Sequence, residues 1–273
     1  PLDFAREIGL IDHNGNITDV PCQDKCPKTK IKKYTTKETG PVVWIWMGAN
    51  EKANEEEIPE LEIHDMDKWT HVVGQYNYME GSYMLLHENL CDLSHLPFLH
   101  ENTFKFPKEY TSAPITVEQT DDQVVFYRQM EDWNLLKPFF HPGLDFGNKQ
   151  VVYKSGGHYM TPATNKGYGL LYPHDENGDV EEPTGHYVNH YLTPESENRC
   201  HYFWYVARNY ALDDQDYSKK QGEMVQKGFD EDREAIKLLQ DVFEHDQHDY
   251  KEIGIKADKP GVVMRKIIKG LVK

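Results

Sequence analysis

Residues 83–103 read YMLLHENLCDLSHLPFLHENT. Asn89, Asp92, His95 and His100 form the pattern N-x2-D-x2-H-x4-H within an otherwise apolar run of Leu85, Leu86, Leu90, Leu93, Leu96, Phe98 and Leu99. Neutral imidazole is a good ligand for divalent iron, zinc, copper or nickel. On a helix, Asp92 and His95 stand three apart and share a face. His100 is five beyond His95 and is rotated off that face. Pro97 removes a backbone N–H and clashes with the preceding turn, so the helix is expected to kink or end there and swing His100 back beside His95. The plain alternative is two buried, hydrogen-bonded histidines and a surface Asp. Four polar residues in register within an apolar run favour a metal site, carried by a helix over 80–99.

Two histidines leave a site incomplete. The segment 222–243, GEMVQKGFDEDREAIKLLQDVF, reads as an amphipathic helix with the apolar stripe Val225, Phe229, Ile236, Leu239 and Phe243. Asp232 is the position in that register that breaks the stripe. A carboxylate on a buried helix face is costly unless it is paired, hydrogen-bonded or bound to a metal. Asp230, Glu231 and Glu234 lie off the stripe and are expected to be solvated. Two His and one such carboxylate match the facial triad that holds non-haem iron and leaves positions open for dioxygen. The competing reading is a buried ion pair from Asp232 to Arg208 or Arg265.

Composition bounds the rest. The chain has 273 residues, 38% hydrophobic and 12% aromatic, enough for one large domain or one domain plus a partial one. Thirty Lys and Arg against 46 Asp and Glu give a net charge of −16, which argues against nucleic acid or an anionic membrane as partner. No apolar run reaches the roughly 18 residues of a membrane span, and no signal peptide is visible. Cys22, Cys26, Cys91 and Cys200 are too few for a disulfide framework. Free thiols and a cytoplasmic protein are expected.

Along the chain, residues 1–48 read as a small strand-rich unit with an Asn14-Gly15 hairpin turn and an apolar strand over 42–47. Residues 49–68 are acidic and loop-like. Strands are expected over 71–78, 111–120, 123–129, 151–153, 167–172, 186–192 and 201–210. The last two pair through a turn at 194–198, ahead of the helix at 222–245 and a polar tail. Antiparallel strands followed by a long helix make an α+β fold. His186 and His190, four apart on a strand, face one way and are read as pocket lining. Tyr202, Trp204, Val206 and Arg208 alternate with Phe203, Tyr205 and Ala207, so one set faces the core and the other the cavity.

GPVVWIWMG (40–48), the 83–103 stretch, GHYVNHYLTPESENRCHYFWYVARNY (185–210) and GFDEDREAIKLLQ (228–240) together resemble the oxygenase (alpha) subunit of Rieske non-haem iron oxygenases. The likeness is to the branch of vanillate O-demethylase, phenoxybenzoate dioxygenase and dicamba demethylase. It implies an antiparallel sheet gripped by helices over 49–273, the catalytic non-haem iron domain, preceded by the remnant of a Rieske-type β domain over 1–48. It further implies iron(II) on His95, His100 and Asp232, with Asp92 coupling that iron to an electron donor and Asn89 close by. Phe98, His186, His190, Tyr205 and Asn209 are the expected pocket residues. The implied activity is hydroxylation or O-demethylation of a small aromatic substrate with dioxygen and electrons from a reductase or ferredoxin, in a homotrimer. One departure is plain. The family binds a [2Fe–2S] Rieske cluster through C-x-H and C-x2-H, and none of the four cysteines here has a His two or three positions on. The cluster is therefore expected only in a longer chain, of which this is an N-terminally incomplete form. The alternatives are a natural relative that lost its cluster, acting as a helix-grip ligand-binding protein, and a zinc hydrolase on the same triad.

Overall fold

The structure, a computed structural model, describes residues 2–59, 62–131, 137, 140–245 and 252–271. It divides into two compact units, Pro1–Glu60 and Leu61–Lys273. The first holds a short helix α1 (Leu2–Glu7) and a hairpin of β1 (Thr35–Thr39) and β2 (Val42–Trp46), turned at Gly40 with φ +56°. Its limit lies at Glu60 and not at residue 48. The acidic segment folds back on the hairpin: Lys37 pairs with Glu55 at 2.8 Å, and the Asn50 side chain accepts from Thr35 N and donates to Lys33 O.

The second unit is built on one antiparallel sheet. After β3 (Thr70–Val73), β4 (Asn77–Met79), α2 (Tyr83–Cys91) and α3 (Leu96–Leu99) comes a meander. It runs through β5 (Ile115–Gln119), β6 (Val124–Met130), β7 (Val151–Thr161), β8 (Thr164–Pro173), β9 (Thr184–Ser196) and β10 (Arg199–Arg208). The sheet order is β3-β10-β9-β8-β7-β6-β5, with β4 also pairing with β10. Helices α4 (Gln215–His245) and α5 (Lys259–Leu271) follow. Tyr202, Trp204 and Val206 of β10 pack against Val225, Phe229 and Ile236 of α4 and Leu86 of α2. Val263, Met264 and Ile267 of α5 pack on Val124, Phe126 and Tyr159. The α+β architecture with helices gripping a sheet is thus as the residues implied.

Several elements differ from the sequence reading. The strand expected over 71–78 splits at Gly74, where the Trp204 ring occupies the space a side chain would need. The two short strands expected over 151–153 and 167–172 are a long hairpin, because Gly156, Gly157, Gly167 and Gly169 hide the alternation. Helix α4 starts seven residues early, where Asp214 Oδ1 accepts from Tyr217 N at 2.8 Å as its cap. Its stripe is buried at Val225, Phe229 and Ile236, while Leu239 and Phe243 are half-exposed. The expected polar tail contains α5, whose Pro260 and Gly261 sit in the first turn, where the missing Pro N–H is harmless.

Candidate metal centre

The helix expected over 80–99 is three pieces. Ser82 caps α2 by accepting from Leu85 N at 3.1 Å. Asp92 then ends it with an extended backbone (φ −109°, ψ 104°) and caps the next turn, Leu93–His95, by accepting from Ser94 N at 2.8 Å. The break therefore falls at Asp92, so Asp92 and His95 do not share a helix face. Pro97 sits in the first turn of α3, where it is tolerated. His100 follows α3, and its carbonyl accepts from Thr103, Phe104 and Lys105. The two breaks bring the His95 and His100 rings to a centroid distance of 5.1 Å.

Asp232 comes to them from α4 and is 5% exposed. Its Oδ1 lies 3.7 Å from His95 Nε2 and 3.3 Å from His100 Nε2. One ligand atom from each of the three residues lies within 4.8 Å of the others. The ion-pair alternative fails: Arg208 donates to Tyr210 O, Ala211 O, Asp214 O, Gln221 and Ser218, and Arg265 pairs with Glu88 and Glu252. His100 Nε2 is fully buried and lacks hydrogen-bond geometry to the nearby carboxylate. Donors about 2.0–2.2 Å from a common cation lie about 3 Å apart, so three donors converging on a buried, unpartnered nitrogen fit a divalent metal.

The surrounding groups orient these ligands. Asn89 Nδ2 donates to Asp232 Oδ1 at 3.0 Å. Glu231 binds His100 Nδ1 at 2.7 Å and accepts from the Thr103 hydroxyl, fixing the ring and aiming Nε2 inward. Glu231 was expected in solvent; its side chain is instead 24% exposed and committed to His100. Nothing in the Asp230–Asp232 acid run singles it out, and Thr103 carries no signal of its own. His95 hydrogen-bonds the Asp92 backbone, and burial holds its imidazole below the ordinary value despite the Asp232 charge. Burial acts the same way on His100, but the charge of the nearby Asp232 carboxylate and the hydrogen bond and charge of Glu231 outweigh it and hold His100 above its ordinary value. Two carboxylates around one buried imidazole make a strong cation site.

A cavity of about 140 Å³ opens from this cluster between sheet and helices. Phe104, Leu93, Leu96 and Phe229 wall it; Gly167 and Gly169 form part of its floor. His186 and His190 both line it, as read from their spacing. His190 Nδ1 bonds Tyr202 Oη at 2.7 Å. Burial pushes the His186 imidazole down to about 4 and the His190 imidazole to about 3, so both are neutral. The other three expected pocket residues lie elsewhere. Phe98 is 60% exposed, because the kinked chain turns it outward. Tyr205 is on the opposite face of β10, bonded to His64 Nε2 at 2.8 Å; the even-numbered set Tyr202, Trp204 and Val206 faces the helices. Asn209 lies beyond β10 and ties Pro183 O and Gly185 N.

A family model described as the vanillate O-demethylase oxygenase C-terminal domain matches residues 79–273. The chain is 27% identical over 255 residues to the iron-sulfur subunit of the toluene-4-sulfonate monooxygenase system of Comamonas testosteroni, covering 86% of this chain and 72% of that one. It is 25% identical over 271 residues to a vanillate O-demethylase oxygenase subunit of Pseudomonas sp. (strain ATCC 19151), covering 96% and 81%. Among solved structures, dicamba monooxygenase bound to 3,6-dichlorosalicylic acid superposes with a TM-score of 0.76 at 19% identity, over 96% of this chain and 76% of that one. The last likeness establishes the fold.

Proposed function

The chain belongs to the vanillate O-demethylase oxygenase family, matched over its C-terminal domain, and from that premise we propose the oxygenase component of a mononuclear iron system that hydroxylates or O-demethylates a small aromatic substrate. The observation that carries the reading is Asp232, a buried carboxylate set between two imidazoles and held by Asn89. His95, His100 and Asp232 would hold iron(II). A ferrous ion there supplies dioxygen activation, and the donor set leaves coordination positions for it. The residues of the chain do the rest. Glu231 and the Asp92 backbone orient the imidazoles, Asn89 fixes the carboxylate, and Leu93, Leu96, Phe104 and Phe229 keep water from the reacting carbon. A ligand-binding protein or a zinc hydrolase on the same triad is not favoured by relatives named as an oxygenase subunit and as the iron-sulfur subunit of a monooxygenase system.

Electrons have to reach this site from outside it. Among the described residues the His95–His100–Asp232 group is the one with metal-ligand geometry, and Cys22 and Cys26 are exposed thiols, Cys26 donating to Ile17 O. These cysteines do not fit a [2Fe–2S] cluster. Our reading therefore assigns the reducing equivalents to a Rieske-type donor whose ligands are not these cysteines, fed by a reductase or ferredoxin and presented by a neighbouring subunit of a trimer. Asp92 is the residue we assign to that contact. Asp92 lines a groove between α2, α4 and α5 that it shares with His95, and it does not line the substrate cavity. Four free thiols fit a cytoplasmic location. Among the described residues no helix is long and apolar enough to cross a membrane.

Anaerobic reconstitution tests the reading. The chain should bind one ferrous ion, lost in Asp232→Ala with the fold retained, and the ferrous protein given dioxygen, an aromatic substrate and a reduced one-electron iron–sulfur donor, which supplies the second electron, should yield one hydroxylated or demethylated aromatic per iron. Stoichiometric binding of zinc but not iron, or iron without any oxygenated product, would refute it.

A further inference from the structure

The cavity has a second polar end. His186 and His190 stand four apart on β9, so their Cα atoms are roughly 13 Å apart along the strand. His190 lies in the field of Asp232, and His186 marks the other end. There β8 places Gly169 opposite His186. A Cβ at Gly169 would come within 2.9 Å of Tyr153 Oη and 3.2 Å of His186 Nε2. Gly169 thus lets Tyr153 Oη and His186 Nε2 close down together over the strand. Tyr153, Gly169 and His186 all line the cavity. The His186 Nδ1 side is turned to Tyr210 Oη at 3.5 Å, which leaves Nε2 for the cavity.

The charge at this end is as informative as its shape. No Lys or Arg is among the described residues that line the cavity. The Arg208 charge reaches His186 only through space, since its nitrogens donate to Tyr210 O, Ala211 O, Asp214 O, Gln221 and Ser218. Tyr153 stays protonated, because burial raises its phenol, and His186 stays neutral. An anion seated between them would lose its hydration without gaining a counter-ion.

We infer that the Tyr153–His186 end of the cavity takes an uncharged hydrogen-bonding substituent of the aromatic ligand, such as a hydroxyl, ester or amide, held by Tyr153 Oη and His186 Nε2, and that it discriminates against a carboxylate or sulfonate at that position. The inference rests on the proposed function only in calling that ligand a substrate.

Three matched probes test it: vanillyl alcohol, methyl vanillate and vanillate, titrated calorimetrically into the chain with and without ferrous iron at neutral pH. The alcohol and ester should bind at least roughly tenfold tighter than the acid. Tyr153→Phe and His186→Leu should each weaken the alcohol about three- to tenfold while leaving methoxybenzene within about twofold. Gly169→Ala, whose Cβ would displace Tyr153 Oη and crowd His186 Nε2, should bring the alcohol down to the methoxybenzene level, and covers the case in which His186→Leu fails to fold. Vanillate binding as tightly as the alcohol, a preference unmoved by all three substitutions, or no binding of any probe would overturn the inference. Iron content and product yield on the same preparations report on the oxygenase reading instead. Lost discrimination with intact iron refutes the inference alone, and intact discrimination without iron refutes the oxygenase alone.

Discussion

Glu231→Gln isolates the group that aims His100. Glu231 binds His100 Nδ1 at 2.7 Å and accepts from Thr103. A hydrogen bond to a charged partner contributes about 1.5–3 kcal/mol and a neutral one about 0.5–1.5. Glutamine keeps a carbonyl for the ring N–H but not the charge that makes the imidazole a better donor to a cation. The difference is about 1–1.5 kcal/mol, taken at the low end because the carboxylate is 24% exposed and partly screened. That converts to roughly tenfold weaker metal binding. Glu231→Ala removes the bond and the orientation together and should approach a hundredfold. The assay is anaerobic competition for ferrous iron against a chromogenic chelator, with thermal unfolding of the metal-free proteins alongside. Glu231→Gln within about threefold of wild type, at unchanged stability, would show that Glu231 is an incidental neighbour and not part of the metal site.

Asp92→Asn keeps the shape and the Ser94 cap but removes the charge, so iron content should hold while single turnover with the electron donor falls by more than about tenfold; wild-type turnover would remove Asp92 from the pathway. Gly228→Ala would set a Cβ 2.2 Å from Phe104 Cζ, next to His100, so overpacking of about 1–3 kcal/mol should override the usual helix gain and lower the melting temperature by several degrees. Burial pushes the His87 imidazole from 6.5 down to about 4, with Nε2 on Pro162 O and Nδ1 on Asn165 Nδ2. The unfolded chain takes up a proton below about 6.5 and the folded chain does not, so stability is full above that pH and declines toward 4; urea unfolding should show about 2 kcal/mol lost at this residue by about pH 5, absent in His87→Gln. Removing iron with a chelator should lower the melting temperature of wild type and leave Asp232→Ala unchanged.

The sequence was most legible where one residue broke a strong pattern. Asp232 in an apolar helix stripe, and two His amid leucines, pointed to a cluster that the structure brings together across more than half the chain. It was least legible where glycine carries the geometry. Gly167 and Gly169 contribute an absence of side chain, which neither periodicity nor residue chemistry registers, so the long hairpin was hidden. Tyr205 was misplaced because alternation defines two faces of a strand without saying which is inward, and contact with Phe229 of α4 decides that; Asn209 lies past the end of β10, where the alternation no longer applies. Glu231 was hidden because a helix position off the apolar stripe looks solvated until His100 arrives from 131 residues away. Asp92 misled for a local reason, since its capping of Ser94 ends the helix that the spacing argument assumed.

The strand order carries a consequence for how the protein is made. From β5 to β10 each strand pairs with its neighbour in sequence, so the meander can zip as a series of hairpins, each closing a short loop. β3 and β4 precede all of these yet pair with β10, the last strand to be synthesised. Their docking closes the longest loop in the sheet and must wait for the meander. The segment bearing His95 and His100 leaves directly from β4, and Asp232 lies on the helix that follows β10. The three candidate ligands therefore come from either side of that last pairing, so a metal held by them would bind the assembled sheet and not its precursor.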